Sequence, residues 1–415
     1  MDRRTVMKAI GGAGLVAVLP APGLAASASD ELVDLAAAAK PISKEERLGR
    51  IERLQVQLRK SGIGAILIEA GSSLDYFSGV QWWRSERVTA ALIPDDGEPM
   101  VVTPFFEAPS IKETLAIPAQ ILTWDEHENP MAVVAHWLKS RKLTAGKVAI
   151  EETVREFLRD GLQKQLPHTT IVSGAAQVRA VRMHKTPAEI ALMQVANTIT
   201  LNALRYAAKR VQIGMTPADI VALVVSATRQ QGGDADGGLV LLGEAAAYPH
   251  GSRQHQEVRE GEVILMDCGC QVHGYTSDIS RTFVHGEPSA EIRRVWNQVR
   301  KGQQIAHETA QIGTPCGAVD DAVRRYYESQ GYGPGYKLPG LSHRTGHGIG
   351  MDGHEPVNLV HLEQTPLEVG KCFSNEPGLY LPGKFGVRME DCFHMTPAGP
   401  RLFTELAPSI DNVFG

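Results

Sequence analysis

The chain has few cysteines. There are five in 415 residues, Cys268, Cys270, Cys316, Cys372 and Cys392. An odd count without framework spacing excludes a disulfide scaffold. Cys268, Cys270 and Cys392 sit beside acidic residues in strand-like surroundings and read as buried apolar thiols, not zinc ligands. There is no excess of one charge either. A formal net charge of −5 gives no general pull toward nucleic acid or an anionic membrane. The apolar stretch 9–20 is too short to cross a hydrocarbon core of ~30 Å, so no stable membrane anchor is expected. Low complexity is confined to Ala36-Ala37-Ala38-Ala39. What remains has ordinary globular composition, 43% hydrophobic, and enough length for two domains of ~100–200 residues.

The first 28 residues carry a signal. Arg3-Arg4 is followed by apolar residues, then by small residues that offer a cleavage point near Ala28. This pattern resembles a twin-arginine export leader. The bland alternative is a fortuitous basic start before an Ala-rich leader. The expectation is export to the periplasm with the protein already folded, or a cytoplasmic protein if the leader is not processed.

Residues 29–175 alternate helical and strand patterns and read as an α/β domain. Residues 43–60 form an amphipathic helix, with Ser43 as N-cap and Glu46 completing a capping box. Gly62 stops it. Residues 64–68 read as a buried strand. Residues 88–93 and 100–103 are further strands, joined by a Pro94-Asp95-Asp96-Gly97 turn. Helices at 130–142 and 153–165 flank a strand at 147–150. Trp82, Trp83 and Arg84 open a dense aromatic and charged patch. The plain reading is a domain or dimer interface; the sharper one is that these residues reach a neighbouring subunit's active site and limit substrate length. Residues 176–415 form the second domain, which opens with helices at 187–210 and 217–230.

The chemistry lies in that second domain. Asp267 ends the apolar run Val263-Ile264-Leu265-Met266, a buried strand, and Asp278 begins another at 278–284. A hairpin would bring both aspartates to the same end of adjacent strands. Glu376 and Glu390 repeat the plan. Gly261 and Gly269 stand six residues before and two after Asp267; Gly370 and Gly378 stand likewise around Glu376. Two related hairpins facing each other would each give two carboxylates. His347, in Gly346-His347-Gly348, adds an imidazole among glycines that allow close approach. Four carboxylates and one neutral imidazole suit two adjacent divalent ions, which activate water at neutral pH. His250, His343 and His354 surround this set as candidates to bind substrate or shuttle protons. Arg388, two residues before Glu390, is expected on the same strand face, holding that carboxylate. Taken singly, each of these residues reads as ordinary turn chemistry; the ordered set does not.

Met266-Asp267-Cys268-Gly269, Ser277-Asp278-Ile279-Ser280-Arg281-Thr282-Phe283, Gly346-His347-Gly348-Ile349-Gly350, Gly353-His354-Glu355-Pro356, Asn375-Glu376-Pro377-Gly378 and Arg388-Met389-Glu390-Asp391 together resemble the signature of the pita-bread metallopeptidases. That group includes methionine aminopeptidase, aminopeptidase P, prolidase and creatinase. No ligand position is substituted. The resemblance implies an α+β protein: a C-terminal pita-bread (creatinase/aminopeptidase) fold behind an N-terminal α/β creatinase-like domain. It implies Asp267 as ligand of one metal, Asp278 and Glu390 as bridging ligands, and His347 and Glu376 as ligands of the other. Glu376 would also be the general base. His250 and His354 would contact the scissile peptide, and His343 would help bind substrate. His343 and Arg388 are candidates for a cationic end that receives a free carboxylate.

The Gly-His-Glu-Pro context and the large first domain resemble the proline-directed branch. The expectation is therefore a dinuclear exopeptidase cleaving the Xaa-Pro bond of dipeptides, with Mn2+ favoured by oxygen-rich ligation and Co2+ or Zn2+ as alternatives. A homodimer is expected. Aminopeptidase P action on longer peptides is the near alternative. A hydrolase or lyase acting on a non-peptide substrate, and a non-catalytic binding module, stand further off.

Overall fold

Local signals set the first elements. The computed structural model describes residues 32–235 and 237–415; the leader reading at 1–28 lies outside them. Helix α1 (Lys44–Lys60) starts where the Ser43 side chain accepts from the Glu46 N–H at 3.2 Å. Only that half of the expected capping box forms. Strand β1 (Ile63–Glu69) follows, then α2 (Ser72–Ser78), β2 (Ala90–Pro94), β3 (Met100–Pro104), α3 (Ala108–Thr114), β4 (Gln120–Trp124), α4 (Pro130–Ser140), β5 (Lys147–Ile150), α5 (Glu156–Gln165), β6 (Thr170–Ser173) and α6 (Ala175–Arg182). The six strands form one mixed sheet ordered β4-β3-β2-β1-β5-β6.

Strand β1 is continuously apolar because both of its faces are covered. Ile66 and Ile68 join a core built from α1, α2 and α6; Ala65 and Leu67 join another under α4 and α5. That is the period-two alternation of a strand. Helix α6 supplies Val178 and Val181 to the same cluster as Leu54 and Leu58 of α1.

The second domain opens with α7 (Pro187–Ala208) and α8 (Pro217–Gln230). Thr186–Glu189 and Thr216–Asp219 capping boxes start them, each with proline in the first turn. Next come β7 (Leu239–Leu242), β8 (Val263–Cys268), the small ribbon β9 (Gln271–Val272) and β10 (Tyr275–Thr276), and β11 (Ile279–Val284). Helices α9 (Ala290–Thr309) and α10 (Cys316–Ser329) are followed by β12 (Gly346–Gly348), β13 (Glu355–Leu359), β14 (Cys372–Asn375), β15 (Gly378–Leu381), β16 (Phe385–Arg388), β17 (Asp391–Thr396) and β18 (Gly399–Leu402). Strands pair as β11-β8-β7, as β13-β12-β14-β17-β18, and as the hairpin β15-β16.

The two domains share one core. Met193, Ala196 and Ile199 of α7, with Tyr275 and Cys372, pack in the same cluster as α1, α2 and α6. A buried polar pin crosses there too. Arg50 donates to the Tyr275 hydroxyl at 2.8 Å, and that hydroxyl donates to Glu189 at 2.9 Å. All five cysteines are buried free thiols. Among the described residues no helix is long and apolar enough to cross a membrane.

Candidate metal centre

Two hairpins carry the carboxylates. Strands β8 and β11 are antiparallel, with Asp267 opposite Ser280, and Asp278 immediately precedes β11. In the second hairpin Asn375 pairs with Asp391 and Gly378 with Arg388. Glu376 lies in the break between β14 and β15, and Glu390 in the break between β16 and β17. The hairpins meet at Ser280 and Glu390, which exchange both backbone hydrogen bonds, at 3.3 and 3.0 Å. The Thr282 hydroxyl extends the seam: it donates to the Arg388 carbonyl at 2.7 Å and accepts from the Arg388 N–H at 3.2 Å.

His347 enters from β12, a strand packed too tightly for side chains on either side of it. A Cβ on Gly346 would stand 2.1 Å from the Ser374 carbonyl oxygen, and one on Gly348 would stand 2.5 Å from that of Glu355. The His347 Nδ1–H donates to the Gly348 carbonyl at 3.0 Å. This fixes the tautomer and leaves the Nε2 lone pair facing the acids. Nε2 is 3.4 Å from Glu376, 3.8 Å from Asp278 and 3.8 Å from Glu390. Ligand atoms of Asp267, Asp278 and Glu390 lie within 4.8 Å of one another, as do those of His347, Glu376 and Glu390.

The electrostatics call for cations. Burial, then the charges of Asp267 and Glu376, hold the Asp278 carboxyl well above the usual carboxylate range. Burial and Asp278 do the same to Glu390. Burial pushes Glu376 up to about 7, against the pull of Arg388. His347 is driven down to about 3, chiefly by burial, so its imidazole is neutral and able to ligate. One Glu390 oxygen accepts from the Ser280 hydroxyl at 3.0 Å; the other is buried without a hydrogen-bond partner. An orphaned anionic oxygen among crowded acids fits a site built to hold divalent ions.

A cavity of about 570 Å³ opens on this cluster, lined also by His250, His343, Arg344, His354 and Arg388. Arg388 does not bind the Glu390 carboxylate as expected. It donates to Asp267, to the Ser280 hydroxyl at 3.2 Å, and to Tyr380 Oη and the Pro249 carbonyl, each at 3.1 Å. It touches the Glu390 carboxylate only through Ser280. The charge expected of His343 is corrected too. Burial and then Arg388 drive it down to about 3, so it is neutral. Its Nδ1–H donates to the Arg344 carbonyl and its Nε2 accepts from Tyr380, both at 2.7 Å. His354 lies against His347, with ring centroids 4.0 Å apart. Arg344 Nη2 donates to His354 Nδ1 at 3.1 Å. Because arginine cannot accept, the His354 proton sits on Nε2.

Trp82, Trp83 and Arg84 do not line the metal cavity of their own chain. Trp82 stacks on Trp83, whose side is 71% exposed, and faces a separate cavity with Asp75, Asp234 and Asp352. Arg84 is held by the Ala70 carbonyl at 3.0 Å and Thr153 at 2.6 Å. Sequence reasoning missed Arg344, Tyr380 and Ser280. Arg344 had one signal, its place as a cation between His343 and the His347 motif.

The fold and cluster together define a metal-dependent hydrolase, with candidate ligands on paired hairpins and on one glycine-flanked histidine. Residues 191–397 match metallopeptidase family M24, and residues 50–184 match the creatinase/prolidase N-terminal domain. An uncharacterized peptidase of Schizosaccharomyces pombe is 34% identical over 371 residues, covering 84% of this chain and 79% of its own length. The chain belongs to metallopeptidase family M24, and its second domain is the pita-bread fold. An Xaa-Pro dipeptidase of Lactobacillus delbrueckii subsp. lactis is 28% identical over 87% of this chain and 98% of its own. A solved prolidase from Thermococcus sibiricus superposes with a TM-score of 0.79 at 26% identity, over 88% of this chain and 98% of that one.

Proposed function

We propose that this metallopeptidase hydrolyses the Xaa-Pro bond of dipeptides, using two divalent ions, with manganese the preferred pair. The observation that carries the reading is the intact five-ligand cradle beneath a cavity that also presents His354 and Arg344. An Xaa-Pro bond is a tertiary amide without an N–H. A site that grips carbonyl and termini, with no demand on a peptide N–H, suits it.

Asp267, Asp278, His347, Glu376 and Glu390 would hold the ions. When bound, these would lower the pKa of water and polarise the scissile carbonyl. Glu376 takes the proton as water oxygen attacks the carbonyl carbon, then delivers it to the proline nitrogen as the C–N bond breaks. His354, with its proton on Nε2, donates a hydrogen bond to the developing oxyanion. His250, on the exposed cavity rim, contacts the peptide. His343 keeps the Arg344 backbone in place through its Nδ1–H. Arg388 orients Asp267 and, through Ser280, Glu390.

Two further readings go with this one. The exposed Trp83 with its stacked Trp82 forms part of a homodimer contact, placed to limit substrate length in the second copy's cavity. Residues 1–28 direct the folded protein to the periplasm by the twin-arginine route; fractionation of cells expressing wild-type and Arg3→Lys/Arg4→Lys chains checks this. The decisive assay offers purified, manganese-loaded protein Ala-Pro, Gly-Pro and Ala-Pro-Ala and identifies the products by mass. Release of proline from the dipeptides supports the proposal. Cleavage of Ala-Pro-Ala alone would replace it with aminopeptidase action, and no cleavage of any would end it.

A further inference from the structure

The metal cavity is lined by two arginines, and only one has a guanidinium to spare. Arg388 is spent on Asp267, Ser280, Pro249 and Tyr380. Among the described residues the Arg344 side chain has one hydrogen bond, its Nη2 donation to His354 Nδ1 at 3.1 Å. No carboxylate among the described residues forms an ion pair with it. A guanidinium offers five N–H donors in a planar fork that matches a carboxylate in two-point fashion.

Its backbone, by contrast, is fixed from both sides. Arg324 donates to the His343 carbonyl at 2.6 Å, and the His343 ring donates to the Arg344 carbonyl at 2.7 Å. Asp320 accepts from the Thr345 N–H at 3.0 Å and from its hydroxyl at 2.7 Å. Asp320 and Arg324 are themselves a buried pair at 2.6 Å. A rigid loop thus presents a partly buried cation, with no carboxylate partner among the described residues, beside His354. Such pre-organisation lowers the ordering cost of binding an anion.

We infer that Arg344 anchors the free C-terminal carboxylate of the substrate and so selects dipeptides. This rests on the dipeptidase reading above and names the residue that enforces it. Because the same guanidinium holds His354 Nδ1, carboxylate recognition and the placement of the His354 proton fall on one side chain.

The test separates these two duties. Manganese-loaded wild type, Arg344→Ala and Arg344→Lys are assayed on Ala-Pro and on Ala-Pro-amide, which keeps the scissile bond and lacks the carboxylate. Any effect through His354 strikes both substrates alike and cancels in the ratio of their kcat/KM values. The inference expects wild type to favour Ala-Pro over the amide by ~10–10² fold, the usual scale of a lost charge-assisted contact. Arg344→Ala should bring the ratio near one, mostly through KM, and Arg344→Lys should restore part of it. Metal content and thermal melting of each variant confirm that it is folded and loaded. A ratio unchanged in a folded, loaded Arg344→Ala protein overturns the inference while leaving the dipeptidase reading standing. Wild type inert on Ala-Pro overturns both.

Discussion

Glu355→Ala should be among the most damaging single substitutions outside the metal ligands. Glu355 is buried at the start of β13, directly after His354. Its carboxylate accepts from Lys185 Nζ at 2.8 Å, from Arg182 Nη2 at 2.6 Å, and from the Met351 and Asp352 N–H groups at 3.0 and 3.3 Å. Lys185 is also buried, and Glu355 is its one side-chain ion-pair partner among the described residues. Removing the carboxylate strands a buried ammonium, for which a loss of roughly 3–5 kcal/mol is usual. The electrostatics give a similar size. Despite its burial, Glu355 is pulled by Lys185 and Arg182 from 4.5 down to about 2, which corresponds to roughly 3 kcal/mol. A depressed carboxylate stabilises above its unfolded pKa and loses that contribution as pH falls through the folded value. The Glu355 share should therefore vanish between about pH 4.5 and 2. Urea unfolding of wild type, Glu355→Ala and Lys185→Met/Glu355→Met measures it. The double variant, with no stranded charge on Lys185, should recover part of the loss. A Glu355→Ala loss under ~1 kcal/mol, or a double variant less stable than Glu355→Ala, would refute the reasoning.

Other expectations concern the centre itself. Glu376 sits at about 7 in the metal-free fold, raised from 4.5. A raised carboxylate stabilises below its unfolded pKa and loses that as pH climbs through the folded one. The melting-temperature gap between manganese-loaded and chelated protein should therefore widen from pH 5 to 7.5; a constant gap would contradict it. Asp278→Ala should lose metal and turnover together, as read by elemental analysis beside hydrolysis rates. His354→Ala should keep its metal yet lose ~10²–10³ in kcat, the usual worth of an oxyanion donor; full turnover would remove that role. Trp82→Ala and Trp83→Ala should relax the preference for dipeptides over tripeptides and weaken dimers in sedimentation. Unchanged length preference would detach both residues from the site.

The parts of the fold legible in the sequence are those decided locally. Helices α7 and α8 announce themselves by Thr-Pro starts and acidic third positions, because a cap depends on its own turn. Strands β1 and β8 were readable because full burial leaves unbroken apolar runs. Helix α2 was not: seven residues rich in serine between Gly71 and Gly79 become helical through packing of Leu74 and Phe77. Edge strand β4 alternates exposure too weakly to stand out. The candidate metal ligands could be listed because each stands in or beside a strand signal and close to a glycine. Their supporting partners could not. Arg388 and Glu390 are two apart, which places them on one face only if the strand continues. Strand β16 ends at Arg388, so the period-two rule lapses and the guanidinium turns to Asp267. The neutrality of His343 follows from burial, which no local motif encodes.

Crowded acids and a rigid frame act in opposite senses here. Four carboxylates brought together without water repel, which by itself would splay the hairpins. The frame resists from outside the cluster. Asp391, next to Glu390, is gripped by Arg281 at 2.7 Å, by Gln303 at 2.9 Å and by Thr404 at 2.6 Å, all buried. Arg281 also reaches the Glu390 and Val413 carbonyls, tying the C-terminal segment to the seam. None of these bonds involves a metal ligand's carboxylate or imidazole. The backbone positions of the ligands are thus set by contacts that loss of the ions leaves intact. Binding free energy would then go into relieving repulsion at a site already framed by these contacts, with little spent on building it.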